Sequence, residues 1–497
     1  MEICLREEVG TSSIDCVRKV TFSAGSVAST NAVFFPAGKT DNRQRGYNGV
    51  PFRYSGNATG QFYYGGNLKT VFVVRIWQAV LLLVCFAPVA AYPVSSDLDG
   101  RAQVVFAAAK NSVVQIRTLL KGSQSQNSIG SGFYVSDDGL IVTNYHVVSS
   151  HALEPKTYEM GYVASNGERG ALTLLAIDVL HDLALLQRKG SQLTYLRFHA
   201  NPVVKGEKLF SMGNPNDLGL VIVEGVNNGL SDHSFYDTIH FTGAINPGMS
   251  GGPVVTKSGE LVGINDATMG ESRGFLVPAQ FARDLLVRWR SAPVVAAEFQ
   301  PEITRQLKQH SSALVERLAR KPLPVQSDAG YAVPDAADPY MRCWANESND
   351  AKLFYSLRSY YCSGRSDLYV GQGINMGSVR FESNLYQSDK LDSFRFGKLL
   401  EKNYSRQEET SADILRKHFS KYACTDAIVD LNGMQGKAAL CLRAYRKLPG
   451  LYDIKLKVVT LRADKHALVS KLNLSGVAYE DGMRMVRLYL GALKWNG

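Results

Sequence analysis

Ile245-Asn246-Pro247-Gly248-Met249-Ser250-Gly251-Gly252-Pro253 is a tight turn built around a serine. A serine hydroxyl is a weak nucleophile near neutral pH and becomes useful only beside a base and beside donors that meet a developing oxyanion. Gly248 removes the side chain where the backbone must turn sharply, so the amides of Gly248 and Ser250 can point at one spot. Gly251 and Gly252 let the chain leave that spot closely packed, and Pro253 opens an apolar strand, Val254-Val255. The bland alternative is a glycine-rich hairpin turn with an incidental serine. A base elsewhere in the chain decides between them.

Gly130-Ser131-Gly132-Phe133-Tyr134-Val135 and Leu140-Ile141-Val142-Thr143-Asn144-Tyr145-His146-Val147-Val148 flank the turn signal Asp138-Gly139 and read as a β-hairpin. His146 sits where the second strand ends, about 100 residues before Ser250, and is the candidate base. The third member should be a buried carboxylate that fixes the imidazole tautomer and stabilises the imidazolium. Asp182 precedes the apolar run Leu183-Ala184-Leu185-Leu186, which reads as a buried strand, and a histidine N–H would offset the cost of burying it. Asp178, in Ala176-Ile177-Asp178-Val179, is the rival. His181 reads as a surface residue at a turn.

The wording of these segments is specific. GSGF…GLIVTNYHVV, DLALL, GEKLFSMGNP, AINPGMSGGPVV, GELVGIN and GFLVP follow one another within about 180 residues. Together they resemble the HtrA-like branch of the trypsin/chymotrypsin-fold serine endopeptidases over about residues 101–292. The resemblance implies an all-β domain of two six-stranded barrels. His146 would be general base, Asp182 its orienting partner and Ser250 the nucleophile, with the amides of Gly248 and Ser250 as oxyanion hole. Family members usually carry Asn or Asp before the serine. This chain has Met249, so altered substrate contacts beside the scissile bond are expected. By the same analogy Ala244, Ile245, Asn265 and Ala267 lie near the specificity pocket, and the uncharged Thr242-Gly243-Ala244-Ile245 suggests small or medium apolar side chains in it.

The implied function is an exported serine endopeptidase acting on protein or peptide substrates through an acyl-enzyme on Ser250, without metal or cofactor. Its activity should rise with pH past about 6.5, an ordinary histidine value. The alternative is a catalytically silent barrel that binds or chaperones proteins. Family members often trimerise, so a homo-oligomer is an open expectation.

At 497 residues the chain is too long for one core. Its formal charge is +10, and residues 293–497 carry 30 Lys and Arg against 22 Asp and Glu, an excess of +8. That excess is spread out rather than run together, which argues against a nucleic-acid footprint. The nine histidines are scattered and no HExxH occurs, so no metal site is expected.

Residues 1–70 read as a disordered leader or as sequence upstream of the true translation start. Residues 71–91 follow a basic residue at Lys69 and combine Arg75, an apolar run from Ile76 and a small-residue end at Ala90-Ala91. That is a signal peptide cleaved after Ala91, or alternatively a single membrane anchor. The expected location is periplasmic or secreted, or anchored in the inner membrane. None of the seven cysteines falls between 101 and 292. Cys343, Cys362, Cys424 and Cys441 are expected to form two disulfides, for which neighbour pairing is the simplest of three connectivities.

Behind the protease region, Pro278 to Arg290 and Ala297 to Arg320 read as helices, and Lys321 to Gly330 as a linker with two prolines, giving a helical linker over 293–330. The remainder, 331–497, reads as an α+β domain of unknown function. It contains a helix from Asp413 to Ala423 capped by Ser411, strands Ala427 to Leu431, Ala438 to Tyr445, Tyr452 to Leu461 and Ala467 to Leu474, and a helix from Glu480 to Leu490. HtrA-like peptidases commonly carry PDZ domains here. No PDZ carboxylate-binding loop is legible, so PDZ regulation is not carried over.

Overall fold

The computed structural model describes residues 3–4, 16–17 and 100–496, apart from 124, 233, 269–273, 294–297, 349–352, 365–367, 405–416 and 462–464. The chain divides into two compact units, Met1–Ala90 and Ala91–Gly497. In the first, strands β1 (Ile3–Cys4) and β2 (Cys16–Val17) pair antiparallel. The expected leader segment 71–91 lies outside the described residues. Among the described residues no helix is long and apolar enough to cross a membrane.

The second unit opens with helix α1 (Gly100–Ala109) and a sheet made of β3 (Val113–Leu120), β4 (Gln126–Tyr134), β5 (Leu140–Thr143), β6 (Tyr158–Ala164), β7 (Arg169–Ala171), β8 (Thr173–Asp178) and β9 (Leu183–Gln187). Its order is β7-β6-β3-β4-β5-β9-β8, and helix α2 (Tyr145–Leu153) follows β5. The family resemblance implies a closed six-stranded barrel here. The structure instead has seven strands in an open ladder. The edge strand β7 is three exposed residues long, too short to carry a second ladder, and it pairs with β6 alone. The second sheet does close, as a six-stranded barrel of β10 (Lys208–Gly213), β11 (Val221–Leu230), β12 (Ile239–Phe241), β13 (Pro253–Val255), β14 (Leu261–Thr268) and β15 (Gly274–Pro278). Phe133, Val142, Leu183 and Leu185 of the first sheet meet Phe210, Met212, Val255 and Ile264 of the second in one buried cluster. Alternating strand residues reach that seam from both sides, which holds the two sheets face to face.

The region expected as a linker is structural. Helix α3 (Ala279–Ser291) closes the barrel, and helix α4 (Gln300–Leu318) buries Ile303, Leu307, Leu314, Val315 and Leu318. That apolar stripe needs surfaces on both sides, and finds them. Ile303 and Leu307 join the core of the first sheet, while Leu314, Val315 and Leu318 join the core behind it. Gln306 accepts the amide of Val179 at 2.7 Å and donates to the carbonyl of Ile177 at 2.9 Å. The proline-rich stretch then enters β16 (Val325–Asp328), paired with β17 (Tyr331–Pro334).

The rest is an antiparallel sheet covered by helices. Its strands are β18 (Met341–Ser348), β19 (Ser356–Gly364), β22 (Val379–Gln387), β23 (Ala423–Asp430), β24 (Gln435–Ala444), β25 (Leu451–Thr460) and β26 (His466–Ala478). They run in the order β18-β19-β22-β26-β25-β24-β23. Helix α5 (Ser393–Tyr404) covers Tyr386, Val459, Ala467 and Val469, whereas helix α6 (Tyr479–Ala492) packs into the larger core with α4. A short strand β27 (Lys494–Trp495) pairs with β17. Cys343–Cys362 and Cys424–Cys441 are bonded, each across a pair of adjacent strands in direct register, β18–β19 and β23–β24. Of the helix expected from Asp413 to Ala423, residues 413–416 lie outside the described residues; Lys417 and His418 are helical, but Phe419 bridges to Tyr445 and Ala423 begins β23 rather than ending a helix. Between β19 and β22 a separate hairpin, β20 (Leu368–Gly371) and β21 (Ile374–Met376), leaves the sheet.

Candidate active site

His146 is the second residue of α2, immediately beyond β5. Its position is fixed from the turn between β8 and β9. Asp182 there adopts a left-handed backbone, φ +52°, a conformation that Asp tolerates better than bulkier residues. That turn makes four bonds to the start of the helix. The carbonyl of Asp182 accepts the amide of Tyr145 at 3.0 Å and the side-chain amide of Asn144 at 2.8 Å. One carboxylate oxygen accepts the main-chain amide of His146 at 2.8 Å, and the other lies 2.6 Å from its Nδ1. A carboxylate can only accept, so the proton sits on Nδ1 and the lone pair is left on Nε2.

The serine turn is braced by Ser131. The hydroxyl of Ser131 donates to the carbonyl of Gly248 at 2.8 Å and accepts the amide of Asn214 at 2.9 Å, and its main-chain amide donates to the carbonyl of Ser250 at 2.7 Å. Gly248 has φ +95°, left-handed as the sharp turn requires. A Cβ at Gly251 would stand 2.2 Å from the carbonyl of Ser131, so the exit from the turn has no room for a side chain. Among the described residues the amides of Gly248 and Ser250 have no hydrogen-bond partner within the chain. Sequence reasoning missed Ser131 as a functional residue. The only signal was a hydroxyl between two glycines within a strand.

Asp266 was missed as well. Its main-chain carbonyl accepts the hydroxyl of Ser250 at 3.0 Å. Its carboxyl, the carboxyl of Asp182 and a ring nitrogen of His146 lie within 4.8 Å of one another. Burial, the charge of Asp182 and a hydrogen bond to Asp182 push the Asp266 carboxyl up to about 7, against the pull of His146. It then holds a proton that it can share with its neighbour. Burial pulls the His146 imidazole down, but the Asp182 charge and hydrogen bond and the Asp266 charge outweigh it, so that it titrates at about 8. Nothing in the reading of Gly-Ile-Asn-Asp as a strand singled out this carboxyl.

Other expectations are corrected. Asp178 is buried but bound to His181 Nδ1 at 3.0 Å and to Arg288 at 2.8 Å, away from His146. His181 is no surface residue: it stacks on Phe281 with ring centroids 3.8 Å apart and meets Tyr236 edge-on. Met249 does not face a substrate. It is fully buried in the second barrel against Leu209, Phe241 and Val254. Ile245 joins the same core. The completely buried Asn265 accepts the hydroxyl of Ser211 at 2.7 Å and donates to the carbonyls of Met212 and Met249. Ile245 and Asn265 therefore support the serine turn from below instead of lining a pocket. Ala244 is exposed, and the side chain of Ala267 lies outside the described ones.

His146, Asp182 and Asp266 offer three donor atoms close enough to hold a metal ion, as do Asp335, Cys343 and Cys362. In the first set Nδ1 is already engaged by Asp182, and in the second both sulfurs are joined in a disulfide.

A histidine-carboxylate pair and a glycine-framed serine, placed where two β-sheets meet, define the trypsin-like class of peptidase domain. Residues 130–264 match the trypsin-like peptidase domain family. Over 160 residues the chain is 35% identical to a probable periplasmic serine endoprotease DegP-like of Chlamydia pneumoniae, covering 31% of this chain and 32% of that protein. It is 33% identical over 175 residues to serine protease HTRA3 of Homo sapiens, covering 33% of this chain and 38% of that protein. The solved serine endoprotease from Yersinia pestis is 26% identical, with a TM-score of 0.34 over 39% of this chain and 68% of that one. The chain thus spans about a third of the length of the curated relatives it matches, and that matching segment is HtrA-like.

Proposed function

We propose that the chain is an exported serine endopeptidase that cleaves peptide bonds of protein substrates through an acyl-enzyme on Ser250. His146 takes the hydroxyl proton on Nε2 and returns it to the leaving amine. Asp182 holds the imidazole in the tautomer this requires and stabilises the imidazolium. The amides of Gly248 and Ser250 receive the oxyanion. The observation that carries this reading is the two-point grip of Asp182 on His146, 2.8 Å to its amide and 2.6 Å to Nδ1. A partly buried carboxylate held so close to an imidazole just beyond a strand has a use in proton transfer that packing alone does not call for.

Export is supported by the printed names of relatives as periplasmic endoproteases and by two cross-strand disulfides. Protein substrates follow from the same relatives. A catalytically silent barrel is the competing reading, and the hydroxyl of Ser250 resting on Asp266 is the observation in its favour. One experiment separates them. A fluorophosphonate probe should label Ser250 in the intact chain, with labelling abolished in Ser250→Ala and strongly reduced in His146→Ala. A well-folded chain that takes up no label overturns the peptidase reading.

A further inference from the structure

The hairpin β20–β21 leaves its own sheet and lies on α2, the helix that carries His146. Leu368, Val370, Ile374 and Met376 are buried in one cluster with Tyr145, Val147, Val148, Ala152 and Leu153. The hydroxyl of Tyr145, next to the histidine, donates to the carbonyl of Val370 at 2.8 Å in a fully buried bond. Glu154, which caps the end of α2, is gripped by Lys417 and Lys447, each at 2.7 Å. The C-terminal region is therefore fixed against the catalytic helix at both ends.

Alternation along the hairpin turns Tyr369 the other way. While Leu368 and Val370 are buried, Tyr369 remains 36% exposed. Its ring meets the imidazole of His146 edge-on, with centroids 6.0 Å apart and planes at 78°. Its hydroxyl is tied to Ser149, one turn along α2. A half-open aromatic ring held against the catalytic imidazole leaves part of its apolar surface uncovered beside the histidine.

We infer that Tyr369, carried by the C-terminal region, forms a wall of the substrate cleft and receives a large apolar side chain of the residue next to the scissile bond on the histidine side. The inference rests on the peptidase reading in one respect: Nε2 hands its proton to the leaving amine, so whatever packs on the imidazole borders the residues flanking the cut bond. An aromatic ring presents a flat apolar surface at small entropic cost, which suits an apolar or aromatic side chain. The C-terminal region would then set specificity in its own right, as a fixed part of the cleft.

The test compares wild type, Tyr369→Phe and Tyr369→Ala as full chains on matched peptides that carry Phe or Gly at each residue flanking the scissile bond. Wild type should prefer Phe at one of these positions. Tyr369→Ala should lose that preference, by about tenfold or more in the ratio of kcat/KM values, and Tyr369→Phe should keep it. Each ratio is taken within one protein, so a change in overall rate cancels from it, and labelling of Ser250 in a variant shows that its fold and nucleophile are intact. A preference profile unchanged by Tyr369→Ala overturns the inference. If wild type takes no label, the peptidase reading fails separately, and affinity for the same peptides decides. Weaker binding of the Phe peptide alone in Tyr369→Ala upholds the wall, and equal binding overturns it.

Discussion

The hydroxyl of Ser250 rests on the main-chain carbonyl of Asp266 at 3.0 Å, and the side chain of that same Asp266 presses against Asp182 and His146. One residue thus holds the resting nucleophile by its backbone and loads the proton relay with a second carboxyl. The consequences appear in pH.

His146 must be neutral to accept a proton, and it titrates at about 8 because two carboxylates outweigh its burial. Turnover should therefore climb through about pH 8, higher than the ordinary histidine value expected from the sequence. Asp266→Asn removes one of the charges that raise the imidazole while keeping an N–H for Asp182. The midpoint of the kcat/KM profile should move to lower pH, by up to about one unit. An unmoved midpoint excludes Asp266 from the electrostatics of the site.

The same substitution should stabilise the fold, with a sign set by linkage. The folded Asp266 carboxyl titrates at about 7, against 3.8 for an ordinary aspartate. Between those values the folded chain holds a proton that the unfolded chain has released. Stability then falls as pH rises through that window and stays reduced above it. Asp266→Asn should raise Tm at pH 8 and leave it nearly unchanged at pH 4. Thermal melts at the two pH values check this, and an equal effect at both contradicts it.

Ser131→Ala should act on the oxyanion turn. The hydroxyl bridges the carbonyl of Gly248 and the amide of Asn214, so its loss lets the turn that aims the Gly248 and Ser250 amides relax. A misplacement of that size is worth about tenfold to a hundredfold in kcat with KM little changed. Steady-state kinetics on a peptide substrate measure it, and a change confined to KM contradicts a role in the transition state.

How much of this was legible beforehand depended on the range over which each feature is written. The serine turn, the histidine hairpin and Asp182 are local strings whose glycine and strand patterns carry their own geometry. The strands expected from Ala438 onward are marked off by turns such as Leu448-Pro449-Gly450, and the first of them begins a little earlier, at Gln435. Asp266 and Tyr369 do not. Each matters because of what folds onto it from 84 and 223 positions away, Asp182 and His146 respectively, and neither carries a local pattern that marks it. Met249 misled for the opposite reason. Its place in the motif suggested a substrate contact, whereas its apolar side chain had a barrel core within reach. The helix expected over Ala297 to Arg320 is present as Gln300–Leu318, but its burial on two sides cannot be read from its own periodicity.

The disulfides should contribute to the C-terminal sheet. They close loops of 19 and 17 residues between neighbouring strands on opposite sides of the sheet order. Loops of that length are worth about 3 kcal/mol each through the unfolded chain. Cys424→Ser with Cys441→Ser should lower denaturant stability by about that amount in the oxidised protein. A reductant should narrow the gap between variant and wild type, and stability that ignores both the substitution and the reductant rules the bond out as a support.

The two aspartates flanking the β8–β9 turn should separate catalysis from stability. Asp182 serves the imidazole, so Asp182→Asn offers the wrong hydrogen-bond partner to Nδ1 and favours the unproductive tautomer. Turnover should fall by roughly four orders of magnitude with the fold intact. Asp178 is bound instead to His181 and Arg288, and these partners hold its carboxyl below the usual range although burial opposes them. Asp178→Asn should leave per-molecule turnover within about threefold of wild type and lower stability by about 1–3 kcal/mol, because the partners around a buried site lose a charged acceptor. Kinetics and thermal melts on both variants decide the matter together. A collapse of turnover in Asp178→Asn, or its preservation in Asp182→Asn, reverses the assignment of the carboxylate.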